Sequence, residues 1–297
     1  MTGKIIKAIA GFYYVHTEEG RLYACRARGL FRKDGIKPLV GDNVRIEVLA
    51  ETAEGGEGSV VEILPRRNLL LRPAVANVDQ ALVVFAVREP DPNLNLLDRF
   101  LISMERQQIP AIICFNKADL DRDGLLAHDE EVYRKAGYEV ISCCTFSPDV
   151  MAQINRLLAG RTTVLAGPSG VGKSSLTNLI HGEQRMEVGA LSEKIKRGKQ
   201  TTRHTELFSL EPSGTYLLDT PGFTSLTLPG LSAEAVKAYF PEFDKAAGNC
   251  RFSGCVHVRE PERCCGVKQA VAAGRIFRER YENYLQIYEE QKELERR

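Results

Sequence analysis

The chain has 297 residues, 43% of them hydrophobic, with 8 cysteines and a formal net charge of +1. That length holds two or three domains with a substantial core, and the near-neutral balance does not by itself demand a nucleic-acid partner. No apolar run approaches the ~20 residues of a membrane span, and the N-terminus carries no signal-peptide core. The expectation is a cytoplasmic, soluble protein whose cysteines are reduced and, where clustered, bind metal rather than pair as disulfides.

Residues 1–68 read as five short strands separated by Gly-rich turns: Gly3–Ala10, Phe12–His16, Arg21–Cys25, Asn43–Leu49 and Ser59–Leu64. Five strands in this length predict a small closed barrel of the OB-fold type. Arg26, Arg28, Arg32 and Lys33 place four positive charges beside Phe31 on one loop. Such a loop can hold RNA phosphates and stack a base; a solvated loop on a plain barrel is the alternative. Arg66-Arg67-Asn68 and the residues to Asn77 read as a linker.

From Asp79 the pattern alternates strands and helices as an α/β sheet requires: a strand over Ala81–Val87, a helix over Leu94–Gln107, an apolar strand over Ile109–Phe115. Asn116-Lys117-Ala118-Asp119 follows at once. A carboxylate at Asp119 can accept from guanine N1–H and the 2-amino group, a pattern adenine lacks. A buried polar group left unpaired by the wrong base makes that discrimination strong. Asn116 braces the loop and the Lys117 stem lies along the ring. Ser142-Cys143-Cys144, after the strand Tyr138–Ile141, offers a backbone contact to the guanine oxygen.

A helix over Pro148–Leu158 leads to the strand Arg161–Ala166 and then to Gly167-Pro168-Ser169-Gly170-Val171-Gly172-Lys173-Ser174-Ser175. This is a P-loop between a strand and a helix. Its glycines let successive N–H groups point at phosphate oxygens, and the helix N-terminus adds partial positive charge. Lys173 reaches the β/γ-phosphates and the Ser174 hydroxyl ligates Mg²⁺. Downstream, the apolar strand Tyr216–Leu218 ends in Asp219-Thr220-Pro221-Gly222, where Asp219 holds Mg²⁺ and the Gly222 amide senses the γ-phosphate. Between them runs the basic, threonine-rich stretch 194–204, whose Thr201 or Thr202 completes the Mg²⁺ shell in the GTP state. GTP or GDP and Mg²⁺ are the ligands these motifs imply. The base reader precedes the P-loop, so the G domain is circularly permuted.

Past the helix-like Ser232–Tyr239, Cys250, Cys255, His257, Cys264 and Cys265 lie within sixteen residues. Zn²⁺ takes four such ligands in a closed structural site. The set is Cys250, Cys255, His257 and one of Cys264 and Cys265; buried thiols with a surface histidine are the alternative. The tail Val267–Arg297 reads as one charged amphipathic helix with Tyr281, Tyr284 and Tyr288 packing from one face. Arg275, Arg278 and Arg280 are candidate phosphate contacts.

The permuted motif order, the N-terminal barrel and the C-terminal Cys/His site together resemble the RsgA/YjeQ family of small-ribosomal-subunit-dependent GTPases. The resemblance spans nearly the whole chain. It implies an OB-fold domain over 1–68, a permuted GTPase domain over 69–228 and a helical zinc-binding domain over 229–297. It further implies binding to the small ribosomal subunit and its rRNA in late assembly and hydrolysis stimulated by the subunit. A monomer off the ribosome is the expectation. Two departures stand out. Gln200 occupies the place of a histidine that the family associates with hydrolysis, and a glutamine orients water rather than titrating. The cysteine pattern carries extra residues, Glu260-Pro261-Glu262-Arg263-Cys264-Cys265-Gly266-Val267, and the trailing Gly-Val-Lys favours Cys265. Phe223 follows the DTPG motif where many GTPases place a glutamine, which predicts slow turnover in isolation. The rival readings are a nucleotide-gated RNA-binding module and a metabolic P-loop phosphotransferase, against which NKAD argues.

Overall fold

The computed structural model describes residues 1–28, 31, 37–52, 55–144, 148–187, 205–219 and 226–296. Alternation of apolar and polar residues from Thr2 onward produces strands with one buried face. β1 (Thr2–Ile9), β2 (Phe12–Thr17), β3 (Leu22–Ala27), β4 (Asn43–Thr52) and β5 (Gly55–Ile63) close into a barrel in the order β1-β2-β3-β5-β4. Ile5, Val15, Tyr23, Cys25, Val44, Ile46 and Val60 fill it. This is the five-stranded, OB-like barrel expected from the sequence. The stretch read as a linker is more ordered than expected. Leu69–Leu71 (β6) and Ala74–Ala76 (β7) pair as an antiparallel ribbon, because Leu70 and Val75 can join the core of the next layer.

That layer is a six-stranded sheet of β8 (Gln80–Ala86), β9 (Ala111–Asn116), β10 (Glu139–Cys143), β11 (Thr162–Ala166), β12 (Phe208–Leu210) and β13 (Thr215–Asp219). The order is β10-β9-β8-β11-β13-β12, parallel except for β12. β8 is buried throughout, as a parallel strand covered on both faces requires. Ala81, Val83 and Phe85 join one core with α1 (Leu94–Arg106) and α2 (Leu125–Lys135). Leu82, Val84 and Ala86 join the other with α3 (Pro148–Leu158) and α4 (Lys173–Glu187). The P-loop strand β11 lies between β8 and β13, so a strand from far upstream flanks the phosphate site. The strand order therefore carries the permutation.

The barrel meets the sheet at its β12–β13 edge. Leu207 N donates to Ile6 O at 2.8 Å, Lys7 pairs with Glu206 at 2.7 Å, and His16 Nδ1 lies 3.0 Å from Tyr216 Oη.

The C-terminal unit contains short 3₁₀ turns over Ala233–Tyr239 and Glu262–Cys264, then α5 (Glu242–Ala247), α6 (Gly266–Ala272) and α7 (Arg278–Glu295). The single tail helix expected over 267–297 is broken between α6 and α7, where Gly274 takes φ +68°. Tyr284 and Tyr288 pack inward with Phe240 and Phe243. Among the described residues no helix is long and apolar enough to cross a membrane.

Arg280, expected as a phosphate contact, is instead buried. Its guanidinium meets Asp98 of α1 and, at 2.7 and 3.1 Å, Glu242 of α5, and it lies 4.5 Å above the Phe240 ring. Tyr133 Oη and Asn283 Nδ2 donate to the Asp98 carboxylate at 2.9 and 2.7 Å. The site joins the C-terminal unit to the sheet helices. Removing one member of such a cluster strands buried opposite charge, so Arg280→Met should cost about 3–5 kcal/mol. Urea unfolding reads this directly; a loss within a few tenths of a kcal/mol would contradict the assigned role. Arg275 and Arg278 remain exposed.

Candidate functional site

The P-loop leaves β11 at Ala166 and enters α4 at Lys173. Two of its glycines are obligatory for space as well as for backbone angle. A Cβ on Gly167 (φ +139°) would lie 2.1 Å from Val84 O, and one on Gly172 (φ +97°) would lie 2.3 Å from Asn116 Nδ2. Pro168 is half-buried and Ser169, Gly170, Ser174 and Ser175 are exposed at the mouth of the loop, while Val171 is anchored in the core. Leu176 N donates to Gly172 O at 2.9 Å, opening the helix over the loop.

Lys173 is 6% exposed, and its Nζ donates to Gly167 O at 2.9 Å and Pro168 O at 2.6 Å. The ammonium thus sits folded over the loop. Burial pulls its pKa below the ordinary lysine value, against the opposing pull of Asp219. Asp219 ends β13 opposite Leu165 in the β11–β13 register, one residue before the P-loop strand ends. Burial raises its carboxyl pKa and Lys173 works the other way. Asp219 Oδ1 is buried without a hydrogen-bond partner among the described residues. A hard cation takes oxygen donors, and this carboxylate with the exposed Ser174 hydroxyl at the helix start makes a fitting pair for Mg²⁺.

Asn116 closes β9, two strands away from β11. The chain then turns sharply, with Lys117 in the left-handed region at φ 59°, and exposes Asp119 on a short 3₁₀ turn over Ala118–Leu120. Asn116 Nδ2 donates to Val171 O at 2.9 Å. Lys117 Nζ donates to Gly170 O at 3.0 Å and to Glu89 O. The two motifs, separated by about fifty residues of sequence, are therefore bonded side chain to backbone. An exposed carboxylate beside an open phosphate loop can read a guanine whose phosphates lie in that loop. Sequence reasoning missed the Cys143 thiol, which donates to Asn116 Oδ1 at 3.2 Å. Its place in Ser142-Cys143-Cys144 was the available signal, read there for its backbone only.

Gln200, Thr201, Thr202, Gly222 and Phe223 lie outside the described residues.

The sequence profile of the RsgA GTPase matches residues 63–229, and that of the RsgA N-terminal domain matches residues 2–56. The chain belongs to the RsgA GTPase family. It is similar to the small ribosomal subunit biogenesis GTPase RsgA of Agathobacter rectalis, with 51% identity over 98% of each chain. The protein of that name from Alkaliphilus metalliredigens is 48% identical over 99% of each. Among solved structures, YloQ, a circularly permuted GTPase, superposes with a TM-score of 0.80 at 40% identity, covering 98% of this chain and 95% of its own. YjeQ from Thermotoga maritima superposes at 0.79 with 34% identity over 98% of each. An RsgA GTPase works on guanine nucleotide with Mg²⁺, which is the ligand pair the loop geometry fits.

The second cluster lies in the C-terminal unit. Ligand atoms of Cys250, Cys255, His257 and Cys265 all fall within 4.8 Å of one another. His257 Nδ1 lies 3.6, 3.3 and 3.4 Å from the three sulfurs in that order. A tetrahedral zinc with Zn–S near 2.3 Å and Zn–N near 2.05 Å would set these edges at about 3.6 Å. Cys264 is buried but outside the group. Gly266 N and Lys268 N approach Cys250 Sγ and Cys265 Sγ at 3.3 and 3.5 Å. The Glu260 carboxylate accepts from Val256 N and Val258 N at 2.9 and 3.0 Å. Tyr281 Oη donates to His257 O at 2.6 Å and Tyr284 Oη to Val256 O. Burial lowers the His257 pKa, keeping the ring neutral, and raises that of Cys255 to about 12.

Proposed function

We propose that this chain binds the small ribosomal subunit during late assembly and hydrolyses GTP to GDP and phosphate when the subunit orders its active site. The observation carrying this reading is the direct bonding of the base-reading loop to the P-loop in a chain that matches, end to end, proteins named small ribosomal subunit biogenesis GTPases.

Asp119 selects guanine, with Asn116 and Lys117 holding the loop. The P-loop amides and Lys173 stabilise the negative charge spread over the transferring phosphoryl oxygens. Ser174, Asp219 and Thr201 or Thr202 hold Mg²⁺, which when bound neutralises charge on the β- and γ-phosphates. Gln200 orients the attacking water, and Gly222 meets the γ-phosphate. Phe223 offers no hydrogen bond to that water, so turnover in isolation is slow, and a partner that orders the loops can raise it by powers of ten. Cys250, Cys255, His257 and Cys265 hold one structural zinc. The closed ligand set leaves no position for reacting water. The barrel, through Arg26, Arg28 and its aromatic neighbours, and the C-terminal unit, through Arg275 and Arg278, contact rRNA. Off the ribosome the protein acts as a cytoplasmic monomer.

Co-sedimentation with purified small subunits tests the partnership. Retention should be strong with a non-hydrolysable GTP analogue and weaker with GDP, and it should weaken as salt is raised. Equal retention in all nucleotide states would remove the nucleotide gate.

A further inference from the structure

We propose that the Cys143 thiol is a positioning residue of the guanine site, fixing the Asn116 amide so that the base-reading loop stays tied to the phosphate loop. This rests on the assignment of Asn116 and Asp119 to the base.

Val171 O is an acceptor only, so the Asn116 amide must turn its NH₂ toward it, as the 2.9 Å contact shows. Asn116 Oδ1 then faces Cys143 Sγ at 3.2 Å and can only accept. Cys143 has one S–H, and it is committed there. The neighbouring sulfur of Cys114, 3.2 Å from Cys143 Sγ, must therefore be the donor in that contact. A directed chain results: Cys114 S–H to Cys143, Cys143 S–H to Asn116, Asn116 N–H to the P-loop carbonyl.

All three side chains are essentially sealed, with Cys114 at 0% and Cys143 and Asn116 at 1% exposure. Water cannot take over a lost partner there, so an unsatisfied Asn116 oxygen is costly. The site has also been cleared for this amide. Gly172 is the P-loop residue whose Cβ would strike Asn116 Nδ2. Contact with Cys143 and burial raise the Cys114 thiol well above its usual pKa, which keeps that S–H available as the donor. If the amide turned over, its oxygen would face the Val171 carbonyl, and the loop presenting Asp119 would keep only the Lys117 bond to the P-loop.

The test measures affinity of the full chain for fluorescent GTP and GDP, with Mg²⁺, and the preference for GTP over ITP, which lacks the 2-amino group. Cys143→Val fills the volume without a donor. It should weaken guanine-nucleotide binding about tenfold and reduce the preference, while the nucleotide-free protein melts at a lower temperature but stays folded under the assay conditions. Cys143→Ser restores a donor and should return affinity to within about twofold. Cys114→Ala leaves the Cys143 donor in place and should also bind within about twofold. Binding by Cys143→Val within twofold of the parent would overturn the proposal, as would Cys143→Ser as weak as Cys143→Val, which would assign the effect to packing. Should Cys143→Val unfold, Cys143→Ala carries the same comparison. Asp119→Asn is the separate control. It should exchange preference for GTP toward XTP, and unchanged GTP affinity there would overturn the guanine-site reading itself.

Discussion

Lys173→Ala is expected to lower GTP turnover by about 10²–10³-fold. The side chain is nearly enclosed, and its ammonium is bonded to two carbonyls of the loop it must serve. It is the one cation of the P-loop sequence, and phosphoryl transfer in this enzyme class relies on positioned positive charge rather than covalent chemistry. Its contribution to folding should be small, since burial already disfavours the charged form. Single-turnover hydrolysis with saturating GTP separates the chemical step from binding, and a parallel thermal melt checks the fold. Turnover near the parent level would take Lys173 out of the reaction.

Removing zinc should have the largest structural effect. Structural zinc sites of this ligand type contribute on the order of 10 kcal/mol to local folding, and Cys255 and Cys265 belong to the core of the C-terminal unit. A strong chelator, or Cys265→Ser, should melt that unit and expose its tyrosines to solvent. Cys264→Ser should be tolerated, because that sulfur lies outside the ligand group and the residue's carbonyl still accepts from Arg251 N at 2.9 Å. Native mass spectrometry should give one zinc per chain for the parent and Cys264→Ser, and none for Cys265→Ser. A folded, metal-free parent would contradict the zinc assignment.

What could be read from the sequence was local. The P-loop, Asn116–Asp119 and Asp219 have spacing set by one turn or one strand end, and the structure brings all three to the same edge of the sheet. β8 and β9 announced themselves as continuous apolar runs, and the barrel by its alternation. Spacing across five candidate ligands left Cys264 and Cys265 open; geometry selects Cys265. Features resting on distant partners were illegible. Arg280 looked like a phosphate contact because its acceptors, Asp98 and Glu242, lie 182 and 38 residues away. The edge strand β12 has three residues, too few to show a period. α2 has a polar outer face and only Val132 and Tyr133 buried, so its apolar signal was weak. The tail break at Gly274 rested on one glycine within an otherwise helical pattern. The Cys143 thiol gained its role from a strand pairing, Cys143 opposite Asn116, that no spacing reveals.

Subunit-triggered hydrolysis is measured as GTP turnover by the purified protein with and without small ribosomal subunits, with Lys173→Ala as the control. The expected result is slow turnover alone and stimulation by at least a hundredfold with subunits, abolished in the control, in line with what activating partners supply elsewhere. Turnover that is the same with and without subunits would contradict a subunit-triggered GTPase.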